Sequence, residues 1–202
     1  MKIIGRILLL FSVSAGAFFN IQPAFTKAAP PNITSYVISA EYFPQTYTIL
    51  AHETATYRNT GTTPILDVVL HLYLNAFRNA NTLWNRESSS GLRGFQYDPA
   101  YPGWIRIDTI QLADGTILES EAVDADETLV RIALPGPVAP GEEVSLDIVF
   151  TALLPRVFAR TGWADDGDFV LAGQWFPKFG VWQHGSWNAY PFHANSEFFA
   201  DF

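Results

Sequence analysis

The chain contains no cysteine, which excludes a disulfide framework, a thiolate metal site, a thiol nucleophile and a lipid-modified N-terminal cysteine. Charge is scarce: 16% of the 202 residues are Asp, Glu, Lys or Arg, and twenty acidic against twelve basic residues give a net charge of −8. A surface of that sign repels a phosphate backbone, so nucleic acid is not an expected partner. No G-x-S-x-G nucleophile elbow is present and no glycine-rich phosphate loop follows a strand, which removes two common routes to hydrolysis and nucleotide binding. Internal repeats, low-complexity tracts and heptads are also missing.

What is present begins with a leader. Residues 1–28 combine Lys2 and Arg6 with an apolar run from Ile7 to Phe19, and Ala24 or Ala28 suits a cleavage point, as in a secretory signal peptide. Ser12, Ser14 and Gly16 dilute a run already shorter than the roughly 20 residues of a spanning helix, so no stable membrane span is expected after cleavage. Cutting after Ala28 removes Lys2, Arg6 and Lys27 and no acid, leaving nine basic against twenty acidic residues, net −11. The expected location is therefore exported: periplasmic, extracellular or at the cell surface. Residues 29–34 form a Pro-rich linker, because Pro30 and Pro31 fix φ and deny backbone donors. Residues 35–202 are read as one domain of 49% hydrophobic overall composition, large enough to bury a sizeable core.

Within that domain the apolar period is two. Leu66, Val68, Leu70, Leu72 and Leu74 alternate with Asp67, His71, Tyr73 and Asn75; Val144, Leu146, Ile148 and Phe150 alternate with Ser145, Asp147 and Val149; Val130, Ile132 and Leu134 alternate with Arg131 and Ala133. Alternation of this kind marks strands with one face on a core. Turn signals separate them at Asn59-Thr60-Gly61, Asp114-Gly115, Pro135-Gly136-Pro137 and Pro140-Gly141, and Asp114-Gly115 predicts a type I′ hairpin. Only residues 76–88 could hold a short helix. The expected fold is all-β, an antiparallel sandwich or a curved saddle-like sheet. Twelve aromatic residues crowd the last forty positions, from Trp163 to Phe202, and need a surface to pack on. No turn or polar tail follows Glu197-Phe198-Phe199-Ala200-Asp201, which reads as a domain truncated at its C-terminal end, with an unpaired edge at 198–202.

Candidate chemistry is sparse. His52-Glu53-Thr54-Ala55-Thr56 starts like a helical H-E-x-x-H zinc motif but has threonine at the second histidine, and on a strand His52 and Glu53 face opposite ways. A solvated strand histidine is the expectation for His52, and a surface or interface histidine for His71. His184 and His193 are spaced too loosely to favour a metal over packing. Asp165-Asp166-Gly167-Asp168 lacks the D-x-D-x-D-G register of a calcium loop and reads as a solvated turn. Ser88-Ser89-Ser90-Gly91 reads as a flexible loop. Glu41, Glu53, Asp67, Glu87 and Glu197 could supply paired carboxylates only if folding brings them together.

Four stretches, taken together, resemble the N-terminal domain of aminopeptidase N-like zinc metallopeptidases, over roughly Ser35 to Phe202. They are Leu70-His71-Leu72-Tyr73-Leu74-Asn75-Ala76-Phe77, with Leu74 where that family commonly has proline; Leu134 to Glu142; Arg160-Thr161-Gly162-Trp163 with Gly173-Gln174-Trp175-Phe176-Pro177-Lys178-Phe179-Gly180-Val181-Trp182; and Trp187 with His193-Ala194-Asn195-Ser196-Glu197-Phe198-Phe199. The resemblance implies that Gln174 contributes to the pocket around the N-terminal residue of a peptide substrate. It also implies that the catalytic zinc, the G-x-M-E-N loop and H-E-x-x-H belong to a catalytic domain outside this sequence, so the chain itself carries no cofactor, no metal ligand and no catalytic residue. The peptide substrate would be met through that missing domain. The alternative is a secreted β-sandwich that binds carbohydrate or protein without catalysis, using Trp163, Trp175, Trp182 and Trp187 as a stacking platform. The 202-residue chain alone is expected to give no chelator-sensitive release of an aminoacyl reporter; robust release would overturn the assignment of catalysis to another domain.

Overall fold

The computed structural model describes residues 32–88, 96–157 and 159–201. The leader of residues 1–28, the first part of the Pro-rich linker, most of the Ser-Gly loop and Phe202 lie outside the described residues. The first sheet has the order β1-β2-β7-β4, made of β1 (Thr34–Phe43), β2 (Thr48–Arg58), β4 (Trp104–Leu112) and β7 (Glu143–Leu153). The second has the order β10-β3-β6-β5, made of β3 (Ile65–His71), β5 (Ser120–Ala122), β6 (Leu129–Val138) and the two-residue β10 (Lys178–Phe179). All named pairings are antiparallel. Two short hairpins, β8 (Gly162–Ala164) with β9 (Phe169–Leu171) and β11 (Val181–Gln183) with β12 (Ser186–Asn188), complete the strands. The all-β expectation holds, and α1 (Leu83–Glu87) falls inside the stretch 76–88.

Period two explains the core. On β7, Val144, Leu146, Ile148 and Phe150 are buried while Ser145, Asp147 and Val149 alternate outward, and Val130 and Ile132 on β6 do the same around Arg131. Leu70, Ile132, Ile148 and Phe150 are wholly buried, and apolar side chains removed from water between two sheets supply the main driving force. Rings bridge the layers: Tyr57 of β2 meets Phe179 of β10 with centroids 5.3 Å apart.

Four local expectations are corrected. Strand β3 ends at His71, and residues Tyr73–Phe77 form a 3-10 helix in place of further strand. Leu66 is exposed, because the pairing of β3 with β6 jumps between Ile65 and Asp67. That jump absorbs Pro135-Gly136-Pro137, which lies within β6 and makes no turn; prolines without an N–H are tolerated at such an irregularity. The hairpin at Asp114-Gly115 is not type I′. Only Gly115 has positive φ (87°), its N–H bonds to the Leu112 carbonyl at 2.9 Å, and Leu112 N–H bonds to the Thr116 carbonyl, the pattern of a three-residue loop with a glycine bulge.

No strand follows Asn188 among the described residues, so the expected unpaired edge at the end of the chain is not formed there. The segment is pinned by hydrogen bonds: the Tyr73 hydroxyl accepts from Phe199 N–H at 3.1 Å and donates to its carbonyl at 3.2 Å, and Thr34 Oγ1 donates to the Asp201 carbonyl at 2.8 Å.

Two buried asparagines tie the loops. Asn75 accepts from Ile105 N–H at 2.9 Å and donates to the Glu127 carbonyl at 2.8 Å. Asn59, fully buried, donates to the Thr63 and Val138 carbonyls at 2.9 Å and accepts from Gly61 N–H, joining the β2–β3 turn to the end of β6. Asn59→Ala leaves the buried Val138 carbonyl and the part-buried partners at Thr63 and Gly61 without their bonds, at a combined cost of about 3 kcal/mol. The expected fall in Tm is ~6–12 °C, against little change for the exposed Asn79→Ala, measured by thermal denaturation of the two variants in parallel.

Candidate functional site

Strand β2 lays Ile49, Ala51, Glu53, Ala55 and Tyr57 along its buried face. Glu53 therefore points into the core in the middle of an apolar row, opposite Ile38 of β1 and Ile148 of β7, with alanines on either side giving its longer side chain room. It is 0% exposed and neither carboxyl oxygen meets a hydrogen-bond partner. His52 faces out, as expected, with Nε2 3.9 Å from Asp147. Burial pushes the Glu53 carboxyl up to about 8, with the nearby Lys178 charge pulling the other way. At neutral pH the group is a neutral acid.

Lys178 is the one lysine of this sequence beyond residue 28, and it is buried. It sits on β10 directly across from His71 of β3. Its ammonium donates to Gln174 Oε1 at 2.7 Å and lies 4.5 Å from the centre of the Phe176 ring. Burial pushes it down to about 8 while Glu53 opposes the fall. His71 is not a surface residue: it is 2% exposed, its ring is stacked on Tyr73 at 4.5 Å, and burial, then Lys178, lowers its pKa to about 4. It does lie on the face of β3 opposite the core row, and residues of the aromatic C-terminal segment roof that face over.

Gln174, the residue to which the resemblance assigns substrate binding, has φ of 54°, a left-handed conformation that costs a non-glycine residue about 1 kcal/mol or more. Its neighbours hold it there. A Cβ on Gly173 would stand 2.4 Å from the Arg160 carbonyl oxygen, and Thr161 Oγ1 donates to the Leu171 carbonyl at 3.3 Å. Arg160 in turn holds both carboxyl oxygens of Glu197 at 3.0 Å. A lysine ammonium can only donate, so Lys178 fixes the orientation of the Gln174 amide, with its oxygen on the ammonium and its NH₂ turned away.

The remaining candidates separate. Glu87 accepts from Ala194 N–H at 3.0 Å and lies 2.8 Å from His193 Nδ1, Asp67 pairs with Arg131 at 2.7 Å, and Glu53 lies in the core without a hydrogen-bond partner. Among the described residues no group of three or more His, Asp or Glu could hold a metal ion. Nor does any described helix have the length and apolarity to cross a membrane. The four tryptophans do not make one platform: Trp163 is buried and stacked on Tyr47 at 3.7 Å, Trp175 packs on Phe150, and Trp182 and Trp187 meet edge to face.

No protein-family description matches the chain, and no curated protein matches its sequence. Among solved structures, the M1 zinc metallopeptidase from Deinococcus radiodurans and a point mutant of it each share 18% identity with the chain at a TM-score of 0.40. The matches cover 66% and 65% of this chain and 23% of those chains, so the sequence spans about a quarter of their length. Values this low bear on neither the site nor its chemistry.

The buried groups make stability depend on pH in three windows. From about 6.5 to about 8 the folded Glu53 keeps a proton that the unfolded carboxyl, with its ordinary value of 4.5, has released, so stability falls as pH rises. Between 4.5 and 6.5 His71 offsets that slope, because the unfolded imidazole binds a proton that the folded one, at about 4, refuses. Above 8 the folded Lys178 has shed a proton that the unfolded chain holds up to 10.5, and stability rises again. Tm is expected to pass through a trough near pH 8, with a loss of about 2 kcal/mol between 6.5 and 8. Glu53→Gln should remove that fall. A decline of the same size in the variant, or a flat profile in the native chain, would assign the trough elsewhere.

Proposed function

We propose that this chain is the substrate-side β domain of an exported zinc aminopeptidase-like metallopeptidase, with the zinc-bearing domain supplied outside the sequence. One observation carries the reading: three of the four stretches behind the resemblance are tied to one another by ladder and side-chain contacts. His71 is paired with Lys178, Tyr73 holds both backbone groups of Phe199 across 126 residues of chain, and Arg160 clasps Glu197 beside the Gly173-Gln174 corner. Residues far apart in sequence are thus tied together, and Lys178 bonds to Gln174, the position expected to meet a peptide.

In this reading Gln174 receives the substrate's end with its amide NH₂, because Lys178 occupies the amide oxygen. The complementary group on a peptide is an acceptor, the carbonyl of its first residue. Strain at φ 54° then has a use: it aims a preset donor, so little side-chain freedom is lost on binding. When bound in the catalytic domain, zinc would polarise the scissile carbonyl and lower the pKa of a water; the residues described above bind and orient.

The test uses the whole reading frame of the gene. Translation past the codon for Phe202 should show G-x-M-E-N and H-E-x-x-H, and the full-length protein should release amino acids from aminoacyl anilides in a chelator-sensitive way. In that protein Gln174→Ala should raise KM about tenfold with kcat changed far less, the loss of one hydrogen bond to substrate. A reading frame without those motifs, or a full-length protein without chelator-sensitive release, overturns the proposal.

A further inference from the structure

A second site lies on the outer face of β3 and owes nothing to the reading of Gln174. His71, Tyr73, Tyr190, Phe192 and Phe199 bound a cavity of about 240 Å³, with Asn188, Ser196, His193 and Glu197 at its edge. The volume is below the roughly 300–1,000 Å³ of pockets for drug-sized ligands and suits a single ring. Its walls are aromatic: Tyr73 stands edge-on to Phe192 at 5.4 Å. Tyr190 and Phe199, 72% and 49% exposed, leave two large apolar side chains open to solvent beside it, the kind of surface that marks a contact site.

The imidazole of His71 gives the cavity its chemistry. Both ring nitrogens are buried and neither has a hydrogen-bond partner, a costly state for a group that carries one donor and one acceptor. Burial keeps the ring neutral at physiological pH, so it does not call for an anion. The polar groups at the edge are partnered already, Glu197 by Arg160 and His193 by Glu87. A hydroxyl on a flat ring supplies what is missing: it donates to one imidazole nitrogen or accepts from the other, while the ring stacks on the walls. The larger groove beside Trp182 and Trp187 lacks such a demand, since its polar side chains satisfy one another, Asp67 with Arg131 at 2.7 Å and with Trp187 Nε1 at 3.0 Å.

We propose that this cavity binds a neutral, hydroxyl-bearing aromatic ring of side-chain size, a phenol, with its hydroxyl bonded to the imidazole of His71.

The full 202-residue chain, labelled with ¹⁵N at histidine, is titrated with p-cresol, with toluene and with N-acetyl-tyrosine methylamide. Saturable p-cresol binding that moves the His71 ring-nitrogen signals, at least about tenfold tighter than toluene, is the expected result. Equal binding of the amide identifies a tyrosine side chain on a polypeptide as the occupant; binding of p-cresol alone identifies a free phenol. His71→Phe keeps a ring to stack on Tyr73 and should abolish the preference over toluene. If that variant does not fold, the ring-nitrogen shifts of the native chain decide. No saturable binding, equal affinity for toluene, or a preference that survives His71→Phe overturns the proposal.

Discussion

Strand β3 is closed off from water on both faces from Val68 to His71, and the arrangement of the second half of the chain follows from that. One face carries Val68 and Leu70 into the space between the sheets. The other, with Val69 and His71, is met by residues 178–199, which pair along β3 through Lys178 and Phe179, bond Gly180 N–H to the Val69 carbonyl at 2.8 Å, and lay Trp187 against Asp67. Antiparallel sheets can leave one face wet. Here part of the aromatic segment takes that face instead, while Trp163, Trp175 and Phe179 pack on Tyr47, Phe150 and Tyr57.

Covering β3 in this way traps ionisable groups. Lys178 must sit across from His71 because Phe179 has to meet Leu70, and the next residue in an extended chain points the opposite way. The ammonium is then held by the Gln174 amide and the Phe176 ring, with Glu53 acting on it through the interior. Each of these buried groups is pushed toward its neutral form, the cheaper state away from water. The left-handed turn at Gln174 belongs to the same arrangement: Gly173 has to pass close to the Arg160 carbonyl, and the amide must reach back four residues to the lysine.

Much of the fold was legible because period two survives in the sequence of β2, β6 and β7. The face of Glu53 was legible too, since Ile49, Ala51, Ala55 and Tyr57 share its parity, although a threonine-rich strand disguised which side was inward. Parity also put His71 opposite the core row. It could not report the roof, which is built by residues more than a hundred positions later. Lys178 was hidden for a related reason: a two-residue strand carries no period, and only a lone lysine between proline and phenylalanine hinted at burial. At Leu66 and Pro135-Gly136-Pro137 the pattern misled, because one irregularity in the β3–β6 ladder exposes the leucine and absorbs the prolines. The hairpin at Gly115 differed from expectation because one residue with positive φ, not two, sets its geometry.

With Lys2 and Lys27 both before residue 29, the region from residue 32 onward keeps a single primary-amine side chain, and that one is enclosed. All its remaining fixed positive charge is guanidinium. Such a surface offers acylating enzymes and amine-directed crosslinkers no lysine to react with while the fold is intact, and its cations hold their charge across any pH the protein survives. The same enclosure turns Lys178 into a reporter of opening: its modification by an amine reagent would record, molecule by molecule, how often the aromatic roof lifts from β3.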